Sequence, residues 1–172
     1  MKFPSRLLVF LTMMAWLVPP QMSSAQQADG PCSSDEASQF DFWLGQWSVA
    51  ANGREVGRNR ISKIQGGCTL LEEYSTQPGG FEGKSFNYYD PSDGKWHQVW
   101  VDNAGTRLHL RGGFADGKMV MAGKRMVQGM ERTDRITWHD NPEGTVRQVW
   151  EVSVDDGDNW QVIFDGLYRR MH

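Results

Sequence analysis

The triplet Gln-Val-Trp occurs twice, at 98–100 and 148–150, and each copy sits in a short run of alternating character. In "VRQVWEV" the set Val146, Gln148, Trp150 and Val152 shares one face, while Arg147, Val149, Glu151 and Ser153 share the other. Successive side chains on a strand point to opposite faces, so the more polar set faces water and Gln148 and Trp150 face inward. By analogy Trp96, Gln98 and Trp100 face inward in "KWHQVWVD", with His97 outside. Two amides beside two indoles is the composition of a small-molecule site, which pairs apolar walls with a few placed polar groups. The plainer reading is a filled core in which the glutamines satisfy each other. "LLEEY" adds a carboxylate: Glu72 and Glu73 must face opposite ways, so one of them points inward unless it lies at the rim. An interior glutamate can hold a polar group of a ligand or act as a general acid or base. It can equally be a structural ion pair.

Other candidate chemistry is weaker. "RLHLR" puts Arg107, His109 and Arg111 on one face, but Leu108 and Leu110 bury more readily, so the basic stripe reads as a solvated outer face. His97 and Asp102 fall on opposite faces of one strand and make a poor metal pair. The acidic turn "DDGDN" (155–159) lacks the length and distal glutamate of a calcium loop. No zinc-protease, nucleophile-elbow or phosphate-loop pattern is present. No metal site or catalytic residue is therefore assigned, and nothing in the sequence establishes a reaction.

The elements that position these residues are strands. Glycine-rich turns such as "ANGRE", "ADGK", "QGME" and "DNPEGT" separate short runs rich in Val, Trp, Tyr, Thr and Ile. This spacing predicts an all-β, up-and-down antiparallel barrel of about eight to ten strands. In "RITWH" Ile136 and Trp138 point inward and His139 outward; in "WQVIFDGLY" the same test places Trp160, Val162, Phe164 and Tyr168 inside. The exception to the strand pattern is "SSDEASQFDFWLG", which predicts a short N-terminal helix from about Asp35 to Phe42, capped by Ser33 or Ser34.

Residues 1–25 read as a secretory signal peptide, with Lys2 and Arg6 ahead of the apolar run Leu7 to Val18 and small residues before the cut. Residues 26–172 then form a single domain, expected in a secreted or periplasmic setting without a membrane span. Removing Lys2 and Arg6 leaves 16 basic residues against 21 acids, a net charge of −5 that argues against nucleic acid as partner. In an oxidising compartment Cys32 and Cys68 are expected to be bridged. Two buried thiols or a metal site are the alternatives, the latter poorly served by two cysteines without a nearby histidine.

"DFWLGQW" at 41–47 carries a resemblance. Gly45-Gln46-Trp47 at the head of a first strand resembles the G-x-W motif of lipocalins and other calycins. In that family the tryptophan closes one end of the barrel and a late arginine packs across it; Arg169 or Arg170 stands where the pattern requires one. The whole mature chain is similar to a family of secreted bacterial calycin-like domains of unknown function, through "DFWLGQW", "GGCTLLEEY", "SFNYYD", "KWHQVWVDNAG", "LRGGF" and "VRQVWEVSVDDGDNW". The resemblance implies a lipocalin-like barrel and a ligand, but no established chemistry. Haem-binding calycins need an inward histidine near the chain end. His172 is terminal and His139 faces out, so no haem or other cofactor is expected.

The leading expectation is a barrel that binds a small, partly apolar molecule, with Trp100, Trp150, Gln98, Gln148 and one of Glu72 or Glu73 as the site. The alternatives are an enzyme that uses that glutamate in the same cavity, and a filled barrel that binds another protein through its surface. The sequence leaves oligomeric state open.

Overall fold

The computed structural model describes residue 30 and residues 32–171. Ten strands close into one antiparallel barrel in which each strand pairs with its neighbours in sequence and β1 pairs with β10. They are β1 (Gly45–Ala51), β2 (Arg54–Ile64), β3 (Thr69–Thr76), β4 (Glu82–Asp90), β5 (Lys95–Asp102), β6 (Arg107–Ala115), β7 (Lys118–Val127), β8 (Met130–Asp140), β9 (Val146–Ser153) and β10 (Gln161–Arg170). Closure removes the edge strands that an open sheet of this composition would expose. Three connections are two-residue turns with both residues at positive φ: Asn52-Gly53, Asp116-Gly117 and Gln128-Gly129. That backbone matches the right-handed twist of the flanking strands and suits asparagine, aspartate and glycine. No helix among the described residues is long and apolar enough to cross a membrane. The proposed signal peptide lies outside the described residues.

The expected helix over Asp35 to Phe42 is not an α-helix. The segment forms two 3-10 turns, Glu36–Ser38 and Asp41–Trp43, with a break at Phe40. So short a segment is marginal as an isolated α-helix. The break also lets Phe40 and Trp43 both drop into the barrel end, where each is fully buried.

These residues build the closed end. Phe40 stacks on Trp43 at 4.9 Å between ring centroids and meets Trp96 and Trp138 edge-on at 5.5 and 5.2 Å. Trp47 lies beneath them, with its indole Nε1 donating to the Trp43 carbonyl at 2.9 Å. Gly45, at φ +134, has no room for a side chain, since a Cβ there would lie 2.6 Å from Arg170 Nη1. Arg170 spans this end: its guanidinium carbon sits 4.4 Å above the Trp47 ring, and Nη1 donates to the Leu44 carbonyl at 2.9 Å. Of the two candidate arginines it is Arg170 that covers Trp47; Arg169 pairs with Ser48 and is exposed. The Cys32–Cys68 disulfide ties the lid to the segment that enters β3. Lys63 adds an ion pair to Asp41 at 2.7 Å.

The face assignments hold on β5, β8 and β9, where Trp96, Gln98, Ile136, Trp138, Val146 and Gln148 are buried. They fail at the start of β10. Val162 is 53% exposed, and Trp160 lies outside, against the Arg135 guanidinium at 3.7 Å. The cause is a register shift between Val162 and Phe164: Val162 pairs with Glu151 while Phe164 pairs with the next residue, Trp150. The extra residue inverts the alternation, so the phase read from Phe164 and Tyr168 does not extend back.

Candidate functional site

The half of the barrel away from the lid is not filled. It holds a cavity of about 280 Å³, lined chiefly by aromatic and aliphatic side chains and by Glu72, Gln98 and Gln148. The reason for the space lies in the neighbouring strands. Gly57 on β2, Gly83 on β4 and Gly166 on β10 are buried, and each lies under an aromatic ring of the cavity wall. A Cβ at these positions would overlap Tyr74, Trp100 and Phe164 respectively. The missing side chains let the three rings lie against the wall instead of across the interior. Ile163, 44% exposed, lines the cavity and marks where it meets solvent.

On β3 the alternation places Leu70, Glu72 and Tyr74 toward the interior. Glu72 is buried and Glu73 is not its partner in the site. Glu73 lies on the outer surface between Arg60 and Lys84, with Lys84 Nζ 2.9 Å from Oε1. Lys84 and Arg60 hold its carboxyl below the ordinary value. The pairing of β3 with β2 and β4 sets Asn59 and Ser85 close beside Glu72. Asn59 Nδ2 donates to Glu72 Oε1 at 2.8 Å, and Ser85 Oγ donates to Oε2 at 2.6 Å.

The directions in this network are fixed by its far end. The Leu70 carbonyl can only accept, so the Asn87 amide nitrogen must face it, at 3.3 Å. Asn87 Oδ1 therefore accepts from Gln98 Nε2 at 2.9 Å. Asn87 Nδ2 also donates to Ser85 Oγ at 2.8 Å, which leaves the single serine hydrogen for Glu72. Gln98, Asn87 and Ser85 thus form a chain of donors that ends on the carboxylate. Burial nonetheless dominates: it pushes the Glu72 carboxyl up to about 7, against the lowering effect of Ser85 and Asn59.

Across the cavity, Tyr168 donates to Gln148 Oε1 at 2.5 Å. Burial, and after it the charge on Glu72, raise the ionisation of Tyr168 well above the ordinary tyrosine value. The two glutamines therefore belong to separate networks and do not satisfy each other. Trp100 and Trp150 both line the cavity and both have anchored indoles. Trp100 Nε1 donates to Asp102 Oδ2 at 2.9 Å, and Trp150 Nε1 donates to Asp134 Oδ1 at 2.8 Å.

Asp134 is wholly buried, and Arg125 and Arg132 converge on it at 2.7 and 2.8 Å. Burial alone would raise its carboxyl; the bonds from Arg125, Arg132 and Trp150 outweigh that and hold it below the ordinary value. This trio braces Trp150 without lining the cavity.

Five of the residues expected from sequence therefore meet in one cavity: Glu72, Gln98, Trp100, Gln148 and Trp150. Sequence reasoning placed Tyr168 inside without assigning it to the site, and missed Asn59, Ser85, Asn87 and Tyr74. In "EGKSFNYYD" the polar alternation was present, but with Phe86 and Tyr88 on the opposite face. The charges give the face: Glu82, Lys84 and Asp90 share the side of Phe86, so that set faces water and carries Phe86 out with it, 48% exposed.

The remaining polar clusters read as braces for turns. Asp90, Asp93 and His97 gather on the outer face, where Asp90 accepts from the Ser92 amide and Asp93 from the Lys95 amide. His97 stacks on Tyr88 at 5.3 Å and meets Asp93 Oδ2 at 3.0 Å. In the 155–159 turn, Asp155 is bonded to Asn159 and Ser153, which hold its carboxyl at about 2. Arg107, His109 and Arg111 are exposed while Leu108 and Leu110 are buried, as the sequence reading expected. No family model matches this chain, and no curated protein matches it.

Proposed function

We propose that this barrel binds a small, partly apolar molecule in its interior, as a secreted or periplasmic protein of the calycin type. The observation that supports it is the cavity itself: aromatic walls around a small set of oriented polar groups, in a barrel whose other end is tightly filled. Rings laid back over glycines serve no packing purpose if the interior is meant to be full. The disulfide and the G-x-W arrangement with Arg170 over Trp47 fit the same reading. The cavity speaks against a filled barrel acting only through its surface.

The direct test is native mass spectrometry of the protein taken gently from its own host, followed by identification of whatever it carries. A stoichiometric small molecule is the expected result. The site-directed counterpart is Trp150→Ala, which should weaken uptake of a small neutral dye such as Prodan far more than it lowers stability. Equal stability loss with unchanged dye binding would remove the cavity from the function.

One observation favours catalysis as a second reading. A carboxyl raised to about 7 beside a cavity suits a general acid or base at neutral pH. If so, the host-derived molecule is turned over, the rate bends near pH 7, and Glu72→Gln abolishes it.

A further inference from the structure

Resting on the binding reading above, we propose that the ligand is a cation: a small aromatic or arylalkyl amine whose ammonium group pairs with Glu72. Three features of the site carry this.

The first is charge. Among the described residues, Glu72, Tyr74 and Tyr168 are the only titratable ones that line the cavity, and none of the lining residues is a lysine, arginine or histidine. From β2 and β4, the strands that flank Glu72, the groups facing it are the neutral Asn59 and Ser85. From β5 and β10 they are Gln98, through Asn87, and Tyr168. Arg125 and Arg132 belong to β7 and β8 and are committed to Asp134. A buried carboxylate with no cation of its own is costly. A cationic guest removes that cost.

The second is direction. Every hydrogen bond received by Glu72 is one that an ionised carboxylate accepts, and the chain from Gln98 is locked in that sense by the Leu70 carbonyl. A carboxylate offers about four acceptor positions. Asn59 and Ser85 fill two, which leaves acceptor capacity for a guest. The orientation suits an anion with room for a further donor.

The third is the wall. Tyr74, Trp100, Trp138, Trp150, Phe164 and Tyr168 surround the space beside Glu72. Aromatic faces attract cations and stack on rings, so one molecule bearing both groups satisfies carboxylate and wall together. The volume of about 280 Å³ sits at the small end of the ~300–1,000 Å³ typical of ligand pockets, which favours a molecule of one or two rings.

The test is isothermal titration with three probes of one shape: 2-phenylethylamine, 2-phenylethanol and phenylacetate. Prodan, a neutral two-ring dye, is added as a charge-neutral control for the cavity. The amine should bind roughly tenfold or more tighter than the alcohol, and the acid weakest. In Glu72→Gln, which keeps the side-chain shape, the amine should bind no tighter than the alcohol. If that variant fails to fold, the wild type supplies the same test. Between pH 8 and pH 5 its affinity for the amine should fall roughly a hundredfold as Glu72 takes up a proton, with little change for the alcohol. Equal binding of amine and alcohol, or an amine preference that survives both Glu72→Gln and acidification, overturns the cationic class and leaves the binding role intact. So does failure of all three probes while Prodan binds. Failure of Prodan as well overturns the binding role itself.

Discussion

Replacing Glu72 by glutamine should change how stability depends on pH, and the size and sign follow from the site. Burial raises the folded-state carboxyl from the ordinary 4.5 to about 7. Below about pH 4.5 the group is protonated in both folded and unfolded chains and has no effect. Between there and pH 7 the folded protein holds a proton that the unfolded chain has released. Stability therefore falls as pH rises, by up to ~1.4 kcal/mol per unit. Above pH 7 the group is ionised in both states and the full penalty, about 3 kcal/mol, is in place. That is a large share of the ~5–15 kcal/mol that typically holds a domain together. Glutamine does not titrate, so the variant should escape the pH-dependent loss. Its amide does present a donor where Asn59 or Ser85 already donates, which lowers its stability by a roughly pH-independent amount. Equilibrium urea unfolding of both proteins, at intervals from pH 4.5 to 8 with the disulfide intact, isolates the effect. The stability of the wild type minus that of the variant should decline by about 3 kcal/mol across the range. Other groups, Asp134 and Asp155 among them, cancel in the difference. A flat difference would mean that solvent reaches Glu72 in the folded state, and a rising one that its partners outweigh burial. Either would refute the reasoning.

Three further outcomes follow from the packing. Replacing both Cys32 and Cys68 by serine opens a loop of 36 residues' separation and should cost about 4 kcal/mol on the chain-entropy estimate, read as a lower urea midpoint. Trp47→Ala removes a fully buried indole, its bond to the Trp43 carbonyl and the surface under Arg170; a loss of about 3–5 kcal/mol is expected by thermal or urea unfolding. Gly83→Val should drive the Trp100 ring into the cavity at a stability cost of about 1–3 kcal/mol. It should also abolish Prodan uptake, and dye binding at wild-type strength would show that the ring has another place to go.

Much of the barrel was legible because hairpin chemistry and two-residue alternation are local properties. Asn52-Gly53, Asp116-Gly117 and Gln128-Gly129 mark their own turns, and Ile136 and Trp138 on β8 and Val146, Gln148 and Val152 on β9 follow the alternation, although Asp134 and Ser153 are buried as well. The errors arose where local pattern was overruled. The shift at Val162 and Phe164 inverted the phase of β10, and no residue type there announces a bulge. The choice between Glu72 and Glu73 could not be made from β3 alone. It is decided by what lies across the ladder: Asn59 and Ser85 inside, Arg60 and Lys84 outside. The donor chain was hidden for a related reason. Asn59, Ser85 and Asn87 are small polar residues of the kind that usually marks a solvent face, and they are buried only because the barrel encloses them.

The two ends of the barrel spend their sequence differently, and the contrast is itself an argument about function. At the lid, large rings meet at centroid distances of 4.9–5.5 Å, and a cross-chain arginine and a disulfide secure them. At the other end the same fold places glycines under its rings, sets Asn59 and Ser85 as donors on one carboxylate with Asn87 and Gln98 behind Ser85, and buries that carboxylate with no counter-charge among the described residues. A leucine at position 72 would suit stability better, since replacing a buried charge by an apolar group of similar size is often neutral or favourable. Asn59, Ser85, Asn87 and Gln98 would then lose the group on which they converge, so the network and the carboxylate stand or fall together. Such an arrangement weakens the folded state in order to hold one negative charge at a fixed point inside an aromatic chamber. The lid supplies the stability that makes this tolerable. The penalty at Glu72 is relieved by protonation below about pH 7 or, on the proposed reading, by a cation entering from the open side, which makes ligand affinity and folded-state stability two readings of the same buried charge.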